Sequence, residues 1–340
     1  MEMKNIIFVS LIGIFLLASC KNQDIEYPDY KYTTVYFANQ SPVRTLILGT
    51  DYVYDNSLDT AHQCIIYATM GGVYSNKADR TLDVVVDNSL CNNLTFENAT
   101  GATVLPMPSN YYTLPSKTQI VIPSGSLMGG LKVQLTDAFF ADPLALGKHY
   151  VIPLRITQVT NADSILSGKS IYTNPVRTNS AEWSILPQDY VLYAVKYKNP
   201  WDATYLRRGI ETAPDTTNVY HQKYVEYDQV VSSVASSSLT DLLISLNGKA
   251  KGNANLPFQL LLKFDKNGNC AITNPASVSY TITGSGKCVK NGDSWGSTKR
   301  DVLYLSYKVN FGSSIHSMSD TLVMRDRVEK SELFSPFYNK

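Results

Sequence analysis

The sequence predicts an all-β protein, with an N-terminal immunoglobulin-like β-sandwich followed by a C-terminal antiparallel unit that is either a lipocalin-like barrel or a second sandwich. Three observations carry this expectation. The 340 residues include 23 tyrosines, 19 glycines and 15 prolines, a composition that suits strands joined by many turns. Short runs alternate apolar and polar side chains: in Tyr150 to Ile156, the residues Tyr150, Ile152, Leu154 and Ile156 fall on one face. No amphipathic run of about 12 or more residues demands a helix.

The chain opens on a secretory signal, residues 1–19. A short charged start (Glu2, Lys4) precedes an apolar run from Ile6 to Leu17 that ends in Leu17-Ala18-Ser19-Cys20. The run is too short to span a bilayer, which takes roughly 20 apolar residues. The small residues before Cys20 form a lipoprotein cleavage box, so Cys20 is expected to carry the lipid. At about 0.8 kcal/mol per buried CH₂, two or more acyl chains anchor a protein where a single chain is marginal. The alternative is an ordinary signal peptide with a chance cysteine. Residues 20–31 then read as a lipidated tether, acidic and tyrosine-rich, with Asp24, Glu26 and Asp29 and little that could pack.

The remaining length suits two domains of roughly 100 to 200 residues each. Residues 32–186 form the expected N-terminal sandwich, with strand candidates at Thr33 to Phe37, Cys64 to Ala68, Leu82 to Val86, Gln119 to Ile122, Leu131 to Leu135 and Tyr150 to Ile156. Pro153 places the last of these at a sheet edge, because proline cannot donate to a ladder. Pro187, with the polar Gln188 and Asp189, is the expected hinge. Residues 187–340 form the second unit, and its strand series begins at Tyr190 to Lys196. In Val302 to Val309, the residues Leu303, Leu305, Tyr307 and Val309 share one face, and short connections such as Lys266-Asn267-Gly268-Asn269 imply an antiparallel meander.

Chemistry is less legible. Thirty basic residues balance 29 acidic ones, so neither nucleic acid nor an anionic lipid surface is indicated as partner. With Cys20 assigned to lipid, Cys64, Cys91, Cys270 and Cys288 remain. Only the pairing Cys64–Cys91 with Cys270–Cys288 keeps each bridge inside its own half, and each would contribute about 3 kcal/mol in the chain-entropy model. The alternative is four buried thiols. No spacing suggests a zinc site, and Asp265 to Asn269 lacks the glycine and the closing glutamate of a calcium loop, so no metal or cofactor is expected and the segment reads as a hairpin turn. The motifs of α/β-hydrolases, zinc proteases and phosphate-binding loops are absent. His62, His149, His221 and His316 are isolated from one another and from any patterned acid, and read as surface or strand residues.

Two tryptophans lie in turn-rich stretches: Trp201 in Lys198-Asn199-Pro200-Trp201-Asp202, and Trp295 in Asn291-Gly292-Asp293-Ser294-Trp295-Gly296. An exposed indole flanked by polar groups offers a flat face to a pyranose and hydrogen-bonding edges to its hydroxyls. Trp201 and Trp295, supported by Tyr205 and Arg207, are therefore the candidate ligand-binding residues. The competing readings are tryptophans folded over a barrel end and, for Arg207-Arg208, a solvated strand pair.

Several segments carry a family resemblance. Asn110-Tyr111-Tyr112-Thr113-Leu114-Pro115, Ile120-Val121-Ile122-Pro123-Ser124-Gly125, Leu135-Thr136-Asp137-Ala138-Phe139-Phe140 and Tyr150-Val151-Ile152-Pro153-Leu154 resemble the N-terminal β-domain of Bacteroidetes surface lipoproteins. A similar domain precedes the catalytic barrel of some bacteroidal endo-β-N-acetylglucosaminidases. Tyr190 to Tyr197, Tyr205 to Gly209 and Lys299 to Leu305 are similar to an uncharacterised C-terminal domain that often follows it. The resemblance implies a lipid-anchored, surface-exposed outer-membrane protein of a polysaccharide-utilisation system that binds glycan beside a TonB-dependent transporter. The catalytic domain of the glycosidase relatives is absent from the chain, so the protein is expected to be non-catalytic. The alternatives are a structural or adhesive surface protein and a glycan hydrolase.

Overall fold

A computed structural model describes residues 27–221, 229–327 and 330–339. The expected signal peptide, Cys20 and the expected tether up to residue 26 lie outside the described residues. The fold is all-β.

Two curled sheets form the N-terminal unit. One has five strands in the order Ser164–Ile165, Thr34–Tyr36, Gln63–Gly71, Met128–Leu135 and Tyr112–Thr113. In the other, Pro42–Ile47, Tyr190–Lys198, Tyr150–Thr160, Arg80–Val86 and Gln119–Ile122 lie side by side. The period-two alternation of the strands turns Val35, Ile66 and Val133 of the first sheet against Leu82, Ile120, Ile152 and Leu154 of the second, and all are buried in one shared core. The short helix Asp137–Ala141 inserts Phe139 and Phe140 at one end of this core, where both rings meet Tyr197 edge-on.

The strand Tyr190–Lys198 does not open the second unit, as the sequence suggested. It lies at the centre of the second N-terminal sheet, antiparallel to Tyr150–Thr160 and parallel to Pro42–Ile47. The reason is visible in its side chains. Val191, Tyr193, Val195 and Tyr197 enter the shared core, while Tyr190, Leu192 and Ala194 enter a second apolar cluster on the sheet's other face. A strand covered on both faces reads as a continuous apolar run, which fits either side of a boundary. The chain instead crosses to the second unit at Asn199-Pro200. Pro153 is likewise central, opposite Leu192, and its carbonyl accepts the Asp87 N–H.

The second unit is a ten-stranded antiparallel sheet. From Val234–Ser236 to Ile315–Asp326 it runs as a meander of neighbouring strands, and Ile315–Asp326 then pairs with Thr204–Ala213. The segment from Gln229 to Ser236 bridges the two edges: Gln229–Val231 pairs with Thr204–Ala213, and Val234–Ser236 pairs with Asp241–Lys249. The sheet therefore curls around an interior filled by Leu242, Leu260, Leu262, Ile272, Leu303, Leu305 and Leu322, all buried. After it, the chain returns to the first unit. Glu332–Leu333 pairs with Pro42–Ile47, Pro336–Tyr338 pairs with Leu94–Phe96, and Phe334 packs on Phe96 with ring centroids 4.7 Å apart. The last residues thus belong to the N-terminal sheets and not to the second unit.

Among the described residues, Cys64, Cys91, Cys270 and Cys288 are free thiols. Cys64 sits in the core between the two N-terminal sheets and Cys91 in the cluster on the far side of the second sheet, so that sheet separates them. Burial pushes both thiols up to about 12. Cys270 lies opposite Gly286, two residues before Cys288 on the neighbouring strand, and both remain reduced.

Candidate functional site

A cleft of about 790 Å³ opens where the two units meet. The loop after Pro42–Ile47 supplies Leu48, Gly49 and Thr50 on one side, with His62 beside them. The second unit supplies Trp201, the Asp265 to Gly268 turn, Lys287 to Lys290, Asp301 and Arg327 on the other.

Trp201 is held in place by its own loop. The Asn199 side chain donates to Ser238 O and Asp241 O at 3.0 and 2.8 Å and accepts the Trp201 N–H at 3.1 Å. Asp202 accepts from the Ser236 N–H and hydroxyl at 2.7 and 2.8 Å. These are the local bonds that Asn and Asp make in turns. The indole stacks on Phe264, with centroids 3.9 Å apart and planes 6° from parallel. Trp201 is half-buried and lines the cleft, which places this sequence-predicted residue at the site.

Its predicted companions are placed differently. Tyr205 is wholly buried in the core of the second unit, and its hydroxyl donates to Trp201 O, so it supports the platform without reaching the cleft. Arg207 is also fully buried, in an ion pair with Asp320 and over the Tyr220 ring. Neither residue can touch a ligand in the cleft. Trp295 ends the strand Thr281–Trp295, and its side chain lies outside the described residues.

The cleft's polar groups come from places the sequence did not single out. Lys266, Lys287 and Lys290 are exposed at its rim. Asp265 folds into its own hairpin: its carboxylate accepts the Asn267 and Asn269 N–H groups and the Asn269 amide, and the Asn269 amide above all holds it below the usual carboxylate range. The turn is thus the hairpin expected from sequence, and no group of three or more metal-ligating side chains occurs among the described residues. Asp301 accepts the Asn291 N–H, and its own N–H donates to the Tyr52 hydroxyl at 2.7 Å, where burial pushes that phenol up to about 12. Arg327 is buried at the junction and donates to the carbonyls of Thr50, Pro200 and Asp202. His62 and Arg327 carry no local signal, because they come together at the cleft only through the docking of the two units.

Comparisons with known proteins agree with this division. A domain of unknown function, DUF5627, matches residues 200–328, starting where the chain leaves the N-terminal sheet, and an N-terminal domain family matches residues 30–163. No curated protein matches the chain. A crystal structure from Bacteroides ovatus, described as structural genomics of unknown function, is 42% identical with a TM-score of 0.82, and the alignment covers 91% of this chain and 100% of that one. The chain joins such an N-terminal β-domain to a C-terminal DUF5627 domain and belongs to the same family as this Bacteroides ovatus protein.

Proposed function

We propose that the protein is an outer-membrane surface lipoprotein that binds glycan in the cleft between its two units without cleaving it. The observation that carries this reading is Trp201: an indole fixed by stacking on Phe264 and by its anchored loop, bordering an open cleft with charged groups around it. A rigid aromatic plane with polar edges suits the C–H face and hydroxyls of a pyranose. The engagement of the cleft's carboxylates supports the non-catalytic reading. Asp265 and Asp301 are both engaged by backbone N–H groups, whereas glycoside hydrolysis calls for an acid and a base free to act on substrate. In this reading the N-terminal unit is an immunoglobulin-like sandwich and the C-terminal unit a lipocalin-like barrel. The barrel interior is filled, so ligand sits at its mouth, and a TonB-dependent transporter is the expected neighbour.

A glycan array probed with residues 21–340 tests the proposal. The array should identify a glycan, and Trp201→Ala should weaken binding to it roughly fivefold, the effect of losing about 1 kcal/mol of stacking. An unchanged circular dichroism spectrum would separate lost contact from lost fold. Normal binding by the variant would move the site elsewhere.

One observation favours a structural or adhesive role instead. The hairpin around Lys169–Ser170 and Trp183–Ile185 exposes Ile171, Tyr172, Ile185 and Leu186, with Ile171 87% exposed, and such a patch suits a protein partner. A protein that bound no glycan but captured a surface protein through this hairpin would establish that reading.

The anchor is tested separately. Cys20→Ala should leave a protein that is not acylated and that partitions away from membranes. Retention of the variant in detergent-free membrane fractions would refute the lipid anchor.

A further inference from the structure

The geometry points to a second site, at the barrel end far from the cleft: Ser314, His316 and Glu211 form a nucleophile, base and acid aligned to hydrolyse acyl esters. This goes beyond the glycan-binding reading and does not rest on it. The cleft lies at the Thr204 end of the strand Thr204–Ala213, whereas Glu211 lies toward its other end, six residues beyond Tyr205 or about 20 Å along an extended strand.

The strand Ile315–Asp326 follows a hairpin after Thr298–Asn310. Ser314 and His316 are two residues apart on extended chain, so their side chains share a face. Ser314 Oγ lies 2.8 Å from His316 Nε2, and His316 Nδ1 lies 2.6 Å from Glu211 Oε1. Glu211 is fully buried and His316 nearly so, while Ser314 is half-buried at the rim. A buried acid thus orients a buried imidazole, which reaches a hydroxyl that solvent can approach.

The hydrogen bonds determine which nitrogen carries the proton. An ionised carboxylate only accepts, so Nδ1 carries the proton that faces Glu211. In the neutral ring Nε2 is then a lone pair, and it faces the Ser314 hydroxyl. This is the tautomer that a general base needs, set by the residue behind it. Glu211 is itself fixed. The Lys249 N–H donates to both of its oxygens at 3.1 Å, and the Tyr220 hydroxyl donates to Oε2. Gly248 makes room for it, since a Cβ there would stand 2.8 Å from Glu211 Oε1. Phe311 meets the imidazole edge-on at 5.1 Å and restrains the ring.

The chemistry that this arrangement supports is acyl transfer. Ser314 Oγ attacks the carbonyl carbon of an ester as its proton passes to His316 Nε2. The carbon–oxygen bond to the alcohol then breaks, and the alcohol departs with that proton. Water adds to the acyl-serine, giving a proton to Nε2; the acid leaves and the proton returns to Oγ. The apolar rings of Phe311, which meets the imidazole, and Tyr280, which packs on Phe311, favour the ester of a small or aromatic carboxylic acid.

Two probes test the site on residues 21–340. A fluorophosphonate should label the protein, with the adduct on the peptide containing Ser314, and 4-nitrophenyl acetate should be hydrolysed. Ser314→Ala, a change at the rim that leaves the buried partners in place, should abolish both signals, whereas Ser313→Ala should keep them. Glu211→Gln should slow hydrolysis by roughly 100-fold, the scale of a positioned base. A wild-type protein that takes no label and turns over ester no faster than Ser314→Ala would overturn the proposal, as would a label on any other residue.

Discussion

Replacing Arg207 with methionine should cost the protein about 3 to 5 kcal/mol of stability, the usual loss when one partner of a buried ion pair is removed. The Arg207 Nε and a terminal nitrogen donate to the two Asp320 oxygens at 2.8 and 3.2 Å, and both side chains are wholly excluded from solvent. The other terminal nitrogen donates to Asn247 O at 3.0 Å, and the guanidinium lies 3.8 Å from the centroid of the Tyr220 ring. Methionine fills similar volume, so the loss is one of charge and hydrogen bonds: Asp320 keeps the Tyr307 hydroxyl, 2.6 Å away, as donor but has no cation. The double variant Arg207→Met with Asp320→Leu removes the stranded charge and should recover most of the loss, leaving the Tyr307 hydroxyl without its acceptor and Asn247 O without the Arg207 donor. Urea unfolding followed by circular dichroism checks both expectations. A single variant with the wild-type midpoint would show that the pair adds nothing.

Arg207 also shows where sequence reasoning reaches its limit. Beside Arg208 in an alternating strand, it suggested either a solvated strand pair or a ligand contact, because its partner Asp320 lies more than a hundred residues away. The one local trace is Gly209. A Cβ there would stand 2.1 Å from Asp320 Oδ1, so the glycine admits the carboxylate. His316 follows the same rule. It is isolated along the chain, yet meets Glu211 once Thr204–Ala213 and Ile315–Asp326 pair. What could be read was what a single strand decides for itself. In Thr298–Asn310, the residues Leu303, Leu305, Tyr307 and Val309 are buried and Tyr304, Ser306 and Lys308 exposed, as period two requires. The antiparallel meander followed from the short turns. Tyr190–Lys198 was assigned to the wrong unit because an apolar run reports burial on both faces and says nothing of its neighbours. Trp201 could be placed at a surface cleft because its flanking Asn199 and Asp202 marked a turn, but the opposite wall, Leu48 to Thr50, comes from chain 150 residues earlier.

That dependence on docking makes Arg327 the residue whose loss should most affect the cleft. Its guanidinium joins the two units directly: Nε donates to Thr50 O of the N-terminal loop at 3.1 Å, and the terminal nitrogens donate to Asp202 O and Pro200 O where the chain enters the second unit. The side chain is buried, and Gly49 packs closely against it, since a Cβ at Gly49 would come within 3.0 Å of the guanidinium. Hydrogen bonds from a charged donor contribute roughly 1.5 to 3 kcal/mol each, though bonds to a shared group are not additive. Arg327→Met should therefore lower stability by about 3 kcal/mol and weaken the coupling between the units. Other contacts persist across the junction, among them the Tyr52 hydroxyl on the Asp301 N–H and the Arg300 guanidinium 4.4 Å from the Tyr52 ring centroid, so each unit should stay folded. Calorimetry should then show one cooperative transition in the wild type resolving into two in the variant, the second unit melting apart from the N-terminal sheets. Glycan affinity should fall together with this coupling, because Arg327 holds Pro200, the neighbour of Trp201, against the opposite wall. A variant that still melts in one transition at the wild-type temperature would mean that the Phe334 tail and the Tyr52 contact, and not Arg327, set the cleft.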